Sequence, residues 1–356
     1  MRIELPISKS IANRLLILQA IHGDGLMTVS CDMPDDVRIM SEAIRLLGER
    51  REARIDLGNC GTAMRFLTAY CAQLEGQTTI LDGVERMHHR PIGQLVDALR
   101  EIGADIEYLG EEGFPPLRIK GCILDKRRIV TINNPQSTQF VSALLLIGTN
   151  VQTDSTSPYI YITQEVIKQY QLSPFSYHLS VEKDWSSAAF WYEYVALHGG
   201  EITLLGLSRD SLQGDKVVAD IFAHLGVRST YTAEGIALSP IAYSEASYSP
   251  LSGRPIAAQA ASRSKILVQD FGNCPDLYPA IALTCEHLGI ELHATGVESL
   301  PLKESDRLRA VREHRTDADH RMAMALLIAG YEVDDTACIS KSYPQFMEQF
   351  RQLRKK

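Results

Sequence analysis

The chain lacks any CxxC pair. Its seven cysteines, Cys31, Cys60, Cys71, Cys122, Cys274, Cys285 and Cys338, are odd in number and scattered, which argues against a disulfide framework or a thiolate zinc site and reads as small core residues. No uncharged run approaches the roughly 18–20 residues that a bilayer-spanning helix needs. The first residues lack the apolar core and small-residue cleavage site of a signal peptide, so the expected location is the cytoplasm. There is no GxxxxGKS/T, GxGxxG or HExxH pattern, and the pair His88 and His89 has no acidic ligand at metal-site spacing, so both read as polar loop residues. Basic residues are in deficit: 36 Lys and Arg against 44 Asp and Glu give a formal charge of −8, so neither nucleic acid nor an anionic membrane is an expected partner. Any anion site must therefore be built locally. What remains is ordinary globular composition, 45% hydrophobic in 356 residues, enough for two domains with their own cores.

Six segments run from a short polar loop into an apolar helix: SKSIANRLLILQAIHGDG, GNCGTAMRFLTAYCAQLEG, QSTQFVSALLLIG, DWSSAAFWYEYVALHGG, CPDLYPAIALTCEHLG and DADHRMAMALLIAG. Each ends at glycine, the usual C-terminal stop. Amphipathic helices alternate with them: VRIMSEAIRLLGE, GQLVDALREIGAD, ITQEVIKQYQL, KVVADIFAHLGV, ESDRLRAVREH and YPQFMEQFRQLRKK. Short runs such as TTILDG, RIVTINN, YIYIT, EITLLG and ILVQD read as the strands between helices. The pattern is an α/β repeat architecture. Helices so uniformly apolar must be buried, which leaves their N-terminal loops as the place for polar chemistry.

The first of these loops, PISKSIANR, sets Lys9 and Arg14 in the opening turns of a helix, where the positive end of the dipole disfavours cations by roughly 0.3–1 kcal/mol each. An anion bound at that end would account for them, since helix N-termini present backbone N–H groups to negative charge. Solvated surface charge is the competing reading from this stretch alone. The other loops decide the matter. LGNCGTAMR, ERMHHRPIG, QSTQF, SPYIYIT, LQGD, PLKESDRL, DHRMAM and SKSYPQF follow in order along the chain, and with PISKSIANR they resemble the motif series of the 5-enolpyruvylshikimate-3-phosphate synthase family.

The resemblance implies a two-domain inside-out α/β barrel of six βαβαββ units, with residues 1–8 and 182–356 in a lower domain, 9–181 in an upper domain, and the active site in the cleft between them. It implies transfer of the enolpyruvyl group of phosphoenolpyruvate to the 5-hydroxyl of shikimate 3-phosphate, with no metal or organic cofactor, by a monomer. It assigns shikimate 3-phosphate to Lys9, Ser10, Arg14, Ser137, Thr138, Gln139, Thr156, Asp276, Ser299 and Lys303, and phosphoenolpyruvate to Lys9, Gly61, Arg90, Gln139, Arg307, Arg321 and Lys341. Asp276 resembles the family's general base and Glu304 its proton donor at the methylene, with Lys9 reaching both substrates. Two plainer roles stay open: Asp276 as a helix cap, and Glu304 with Arg307 as an i, i+3 surface pair. Seven cations, Lys9, Arg14, Arg90, Lys303, Arg307, Arg321 and Lys341, less Asp276 and Glu304 leave about +5, against the roughly −5 to −6 of two phosphates and two carboxylates.

This sequence departs from the family pattern at Ile7, where glycine is usual, at Phe66 for proline, at Ser299 for asparagine, at Thr156 for serine and at Cys60 for alanine. The alternatives within reach are a UDP-sugar enolpyruvyl transferase of the same fold and a non-catalytic ligand-binding relative; a nucleic-acid end-processing enzyme of similar repeats is disfavoured by the acidic balance. Two segments are shorter than a full unit requires, Gln171 to Ser176 and His314 to Ala318. The expectation there is that further residues belong to the chain, because so few cannot pass through two paired strands.

Overall fold

The computed structural model describes residues 1–172, 181–241, 247–248, 255–256 and 266–354. The chain divides into two compact units, Lys9–Val181 and Met1–Ser8 with Glu182–Lys356.

In Lys9–Val181 the helices Lys9–His22, Gly61–Ala72 and Thr138–Leu146 are buried nearly all round, as their continuous apolar composition requires. Their partners are striped. Asp35–Glu49 buries Val37, Met40, Ile44 and Leu47 on one face and opens with Asp35 and Asp36, which suit the positive end of its dipole. Strands Glu52–Asp56, Thr78–Asp82, Leu117–Lys120 and Asp105–Tyr108 form a sheet in that spatial order. The first pair is parallel, with Glu52 opposite Thr78, and the other two pairings are antiparallel. Ile129–Thr131 and Asn150–Gln152 make a separate parallel pair.

The second unit repeats this plan. Arg2–Glu4, Ile202–Leu205, Gly235–Pro240 and Val227–Thr232 form a four-stranded sheet whose first pair is parallel, with Arg2 opposite Thr203, and Ile266–Asp270 pairs in parallel with Glu291–Thr295. Its core is built on Trp185–His198, where every residue from Trp185 to Leu197 is buried. Trp191 packs on Phe346 with ring centroids 5.4 Å apart and donates its indole N–H to Tyr343 Oη at 3.0 Å. Tyr278–Leu288 and His320–Ala329 pack beside that helix. Five of the six apolar helices are followed within two residues by a glycine with φ between 66° and 91°, a conformation that strains any residue with a side chain, whereas Gly61–Ala72 closes on Gln73 in the right-handed region.

The class is mixed α/β. Among the described residues the sheets are open and separate, and none closes into a barrel. One expectation is corrected. The run YIYIT is not a strand: Tyr159–Thr163 lies inside the helix Pro158–Leu172, started by Pro158 at its first position and by the Ser157 hydroxyl, which accepts from Tyr159 N. Its β-branched residues match the helix period, with Ile160, Thr163 and Val166 buried. The link His314–Ala318 carries the chain from Arg307–Glu313 to His320–Ala329 as written, with no strand between. His314, Asp317 and Ala318 take positive φ values of 51°, 46° and 56°, which turn the chain back at once. Of the other short segment, residues 173–176 lie outside the described residues.

Candidate active site

Lys9 is not a solvated charge. Its Nζ lies 3.0 Å from Asp36 Oδ2, with the two side chains 13% and 4% exposed. The cation at the head of Lys9–His22 is thus neutralised from the first turn of the neighbouring helix. Arg14, one turn further on, is buried and held by neutral acceptors. Nε donates to Thr163 Oγ1 at 2.7 Å, Nη1 to the Ser10 carbonyl at 2.7 Å, and Nη2 to Ser142 Oγ and the Tyr159 carbonyl at 3.2 and 3.1 Å. The Phe66 ring lies 5.3 Å from its guanidinium carbon, giving the residue that replaces the family's proline a cation–π role. With no carboxylate partner among the described residues, burial pulls the Arg14 guanidinium down to about 10.

Gly61 opens the helix Gly61–Ala72 under two guanidinium groups. A Cβ there would stand 2.4 Å from Arg65 Nη1 and 2.6 Å from Arg90 Nη2. Arg90 follows the 3-10 turn Glu85–His89 and reaches the Asn59 carbonyl at 3.4 Å, while its buried Nε has no hydrogen-bond partner among the described residues. Ser137 caps Thr138–Leu146, its hydroxyl accepting from Gln139 N at 3.3 Å, and Gln139 Nε2 donates to Thr62 Oγ1 at 2.9 Å. Two helix N-termini, two arginines, a glutamine amide and small hydroxyls are therefore drawn together, an arrangement suited to an anion. Thr156 is exposed in the loop before Pro158.

In the other unit the expected residues form one ion-pair network. Asp276 Oδ1 accepts from Arg307 Nη1 at 2.8 Å and lies 3.6 Å from Lys303 Nζ, and its Oδ2 lies 2.9 Å from Arg321 Nη2. Glu304 takes Arg307 Nη2 at 3.2 Å on one oxygen and Lys341 Nζ at 2.8 Å on the other. Asp276 stands inside the turn Pro275–Leu277 with its carboxylate on three cations, and the Glu304–Arg307 pair is buried, at 9% and 1% exposure, so it is no surface pair. Burial alone would lower the Arg307 guanidinium; Asp319, Asp276 and Glu304 outweigh it and hold Arg307 more basic than usual. Ser299 precedes the turn Leu300–Leu302 and stands outside the network.

Four residues of this chemistry carried no assigned role in the sequence. Asp36 neutralises Lys9. Asp319 caps His320–Ala329 through Arg321 N at 2.9 Å and binds Arg307 Nε at 2.8 Å. Arg65 closes over Gly61, its Nη1 donating to the Gly61 carbonyl at 3.0 Å. Asp215 is buried beside the Asp276 network, and burial pushes its carboxyl up to about 7. Arg65, Asp215 and Asp319 stand in GTAMR, LQGD and DHRMAM, so the signal was present in letters left unread.

The EPSP synthase (3-phosphoshikimate 1-carboxyvinyltransferase) family model matches residues 49–173, 147–314 and 310–350. A 3-phosphoshikimate 1-carboxyvinyltransferase of Bacteroides fragilis is 36% identical over 98% of this chain and 94% of its own length, and one of Cellvibrio japonicus is 31% identical over 99% and 96%. The first alignment runs to 411 positions, more than the 356 residues available here, so that relative carries residues that this chain lacks. Among solved structures, an EPSP synthase of Acinetobacter baumannii superposes with a TM-score of 0.63 at 18% identity, covering 99% of this chain and 95% of its own. The enolpyruvyl transferase NikO of Streptomyces tendae gives 0.61 at 12% identity, covering 99% and 94%.

Proposed function

The chain belongs to the EPSP synthase family, and from that membership we propose that it transfers the enolpyruvyl group of phosphoenolpyruvate to the 5-hydroxyl of shikimate 3-phosphate and releases phosphate. The observation that carries the proposal is the pair of carboxylates, Asp276 and Glu304, each held by two or more cations in one buried network. Such a frame suits a reaction that moves protons among anions. In it Glu304 protonates the methylene carbon of phosphoenolpyruvate, the 5-hydroxyl oxygen bonds to C2, and Asp276 takes the hydroxyl proton. The C2–O bond to phosphate then breaks, the proton held by Asp276 passing to the departing phosphate, and the new methyl group returns its proton to Glu304 to restore the double bond. Both carboxylates end as they began.

Arg90, Arg307, Arg321 and Lys341, with Gly61 beneath Arg90, bind phosphoenolpyruvate. Arg14 and Ser10 hold the shikimate carboxylate, and Ser137, Thr138 and Thr156 the shikimate phosphate, with Gln139 at the ring and Lys9 reaching both substrates; Ser299 and Lys303 complete the shikimate contacts. Planar guanidinium groups match carboxylate and phosphate oxygens two at a time. Family membership also supports reading the fold as six units of the inside-out α/β type, and the protein as a cytoplasmic monomer. No helix of the described residues is long and apolar enough to cross a membrane.

Phosphate release on mixing the protein with shikimate 3-phosphate and phosphoenolpyruvate tests the reading. Release with a UDP-sugar in place of shikimate 3-phosphate would transfer the assignment to that related activity, and binding without turnover would make the chain a binding relative. Asp276→Asn and Glu304→Gln keep shape and remove proton transfer, so turnover is expected to fall by about 10²–10⁴ with substrate binding retained.

A further inference from the structure

Asp215 sits in the 3-10 turn Gly214–Val217 and is 3% exposed. One of its oxygens, Oδ2, accepts a short hydrogen bond from Ser186 Oγ; the other, Oδ1, is buried with no partner among the described residues. Arg321 is 1% exposed and presents the complementary feature. Its Nη2 lies 2.9 Å from Asp276 Oδ2, whereas its Nη1 is buried without an acceptor among the described residues. A buried N–H of a cation left in this state is a place for an anion's oxygen.

The groups acting on Asp215 come from every side. Asp184 and Ser186 flank the start of Trp185–His198, Asp276 and Cys274 stand at the turn Pro275–Leu277, and Arg321 heads His320–Ala329. Lys216 in the same turn is directed to the Ser211 and Arg209 carbonyls at 2.8 and 3.5 Å, and on the adjoining helix Val218–His224 both Asp220 and His224 are exposed. Among these groups the positive charge of Arg321 favours the ionised form of Asp215, and the negative charges of Asp276 and Asp184 oppose it. An ionised Asp215 would therefore compete with a ligand for Arg321 and repel the charge on Asp276.

We propose that Asp215 is a positioning residue for the reaction: as a neutral acid it leaves the Asp276–Arg321 pair undisturbed and Arg321 Nη1 open to an incoming phosphate or carboxylate oxygen, and on ionising it draws on Arg321 and weakens anion binding. The inference rests on the enolpyruvyl-transfer reading. It assigns the proton-dependent step to affinity, with Asp276 and Glu304 keeping the chemistry. Burial, which pushes the Asp215 carboxyl up to about 7, sets the change within the working range of pH.

The test is the pH dependence of KM for phosphoenolpyruvate between about pH 6 and pH 9 in the native protein, Asp215→Asn and Ser186→Ala. In the native protein KM should rise by up to about tenfold per pH unit above the inflection, because only the protonated fraction binds well. Asp215→Asn, permanently neutral, should flatten that rise while kcat moves less than KM. Ser186→Ala removes the donor that favours the ionised carboxyl and should shift the inflection to higher pH. A native KM independent of pH, a profile unchanged in Asp215→Asn, or an inflection unmoved in Ser186→Ala would each overturn the proposal. Calorimetric titration of phosphoenolpyruvate gives the same three curves without turnover, so a protein that binds but does not react defeats the functional reading alone. Failure to bind at every pH defeats both.

Discussion

Lys9 and Asp36 form a nearly buried ion pair of 3.0 Å, so the cation that opens the first helix arrives with its own counterion. Lys9→Ala should therefore do two things at once: stop turnover, and leave Asp36 buried without its counterion, a loss of about 3–5 kcal/mol. The double variant Lys9→Met with Asp36→Leu should recover most of that stability and none of the turnover. Denaturant unfolding of the single and double variants, with activity measured alongside, separates the two roles. Turnover restored in the double variant would remove Lys9 from the reaction.

Gly61→Ala places a methyl where Arg65 Nη1 and Arg90 Nη2 now stand, at 2.4 and 2.6 Å. The far ends of both side chains can shift, so the fold should survive. Losing one charged hydrogen bond to the ligand is worth about 1.5–3 kcal/mol, and KM for phosphoenolpyruvate should rise accordingly while the melting temperature holds. Steady-state kinetics with calorimetry checks both halves.

Glu193 is fully buried in Trp185–His198, neither of its carboxyl oxygens has a hydrogen-bond partner among the described residues, and burial holds its carboxyl well above the ordinary range. The folded state keeps this proton where the unfolded chain releases it, so stability is lost as pH rises from the unfolded value towards the folded one. Glu193→Leu should melt higher than the native protein at about pH 8, with the difference shrinking towards about pH 4. A difference that does not change with pH would show that Glu193 is ionised in the fold.

Ala318 holds a φ of 56° in the five-residue link before His320–Ala329. Ala318→Gly relieves a conformation that disfavours an L-residue by roughly 1–2 kcal/mol, part of which returns as flexibility of the unfolded chain. A net gain of about 0.5–1 kcal/mol in denaturant unfolding is the expected result. A loss would mean that the link takes another conformation in solution.

The helices were legible because their composition carries the answer: continuous apolar runs with glycine stops can only be interior helices, and striped ones their covers. YIYIT misled because β-branched residues at alternating positions satisfy the strand pattern, while the deciding feature, the Ser157 hydroxyl and Pro158 at the helix start, lies just outside the run. The site's cations were legible as motif letters. Their counterions were not, since Asp36 meets Lys9, and Asp319 meets Arg307, through pairings that no local spacing encodes. Nor does a letter such as Asp215 say how dry its surroundings are, and that dryness is what alters its ionisation.

The strand Arg2–Glu4 pairs with Ile202–Leu205, and the Glu4 carbonyl accepts from Gln349 Nε2 at 2.9 Å, although the unit Lys9–Val181 intervenes in the chain. During synthesis the intervening unit is complete in sequence before Ile202 has been made. Arg2–Glu4 must wait unpaired until then, so the contiguous unit is free to fold before the split one can close its sheet.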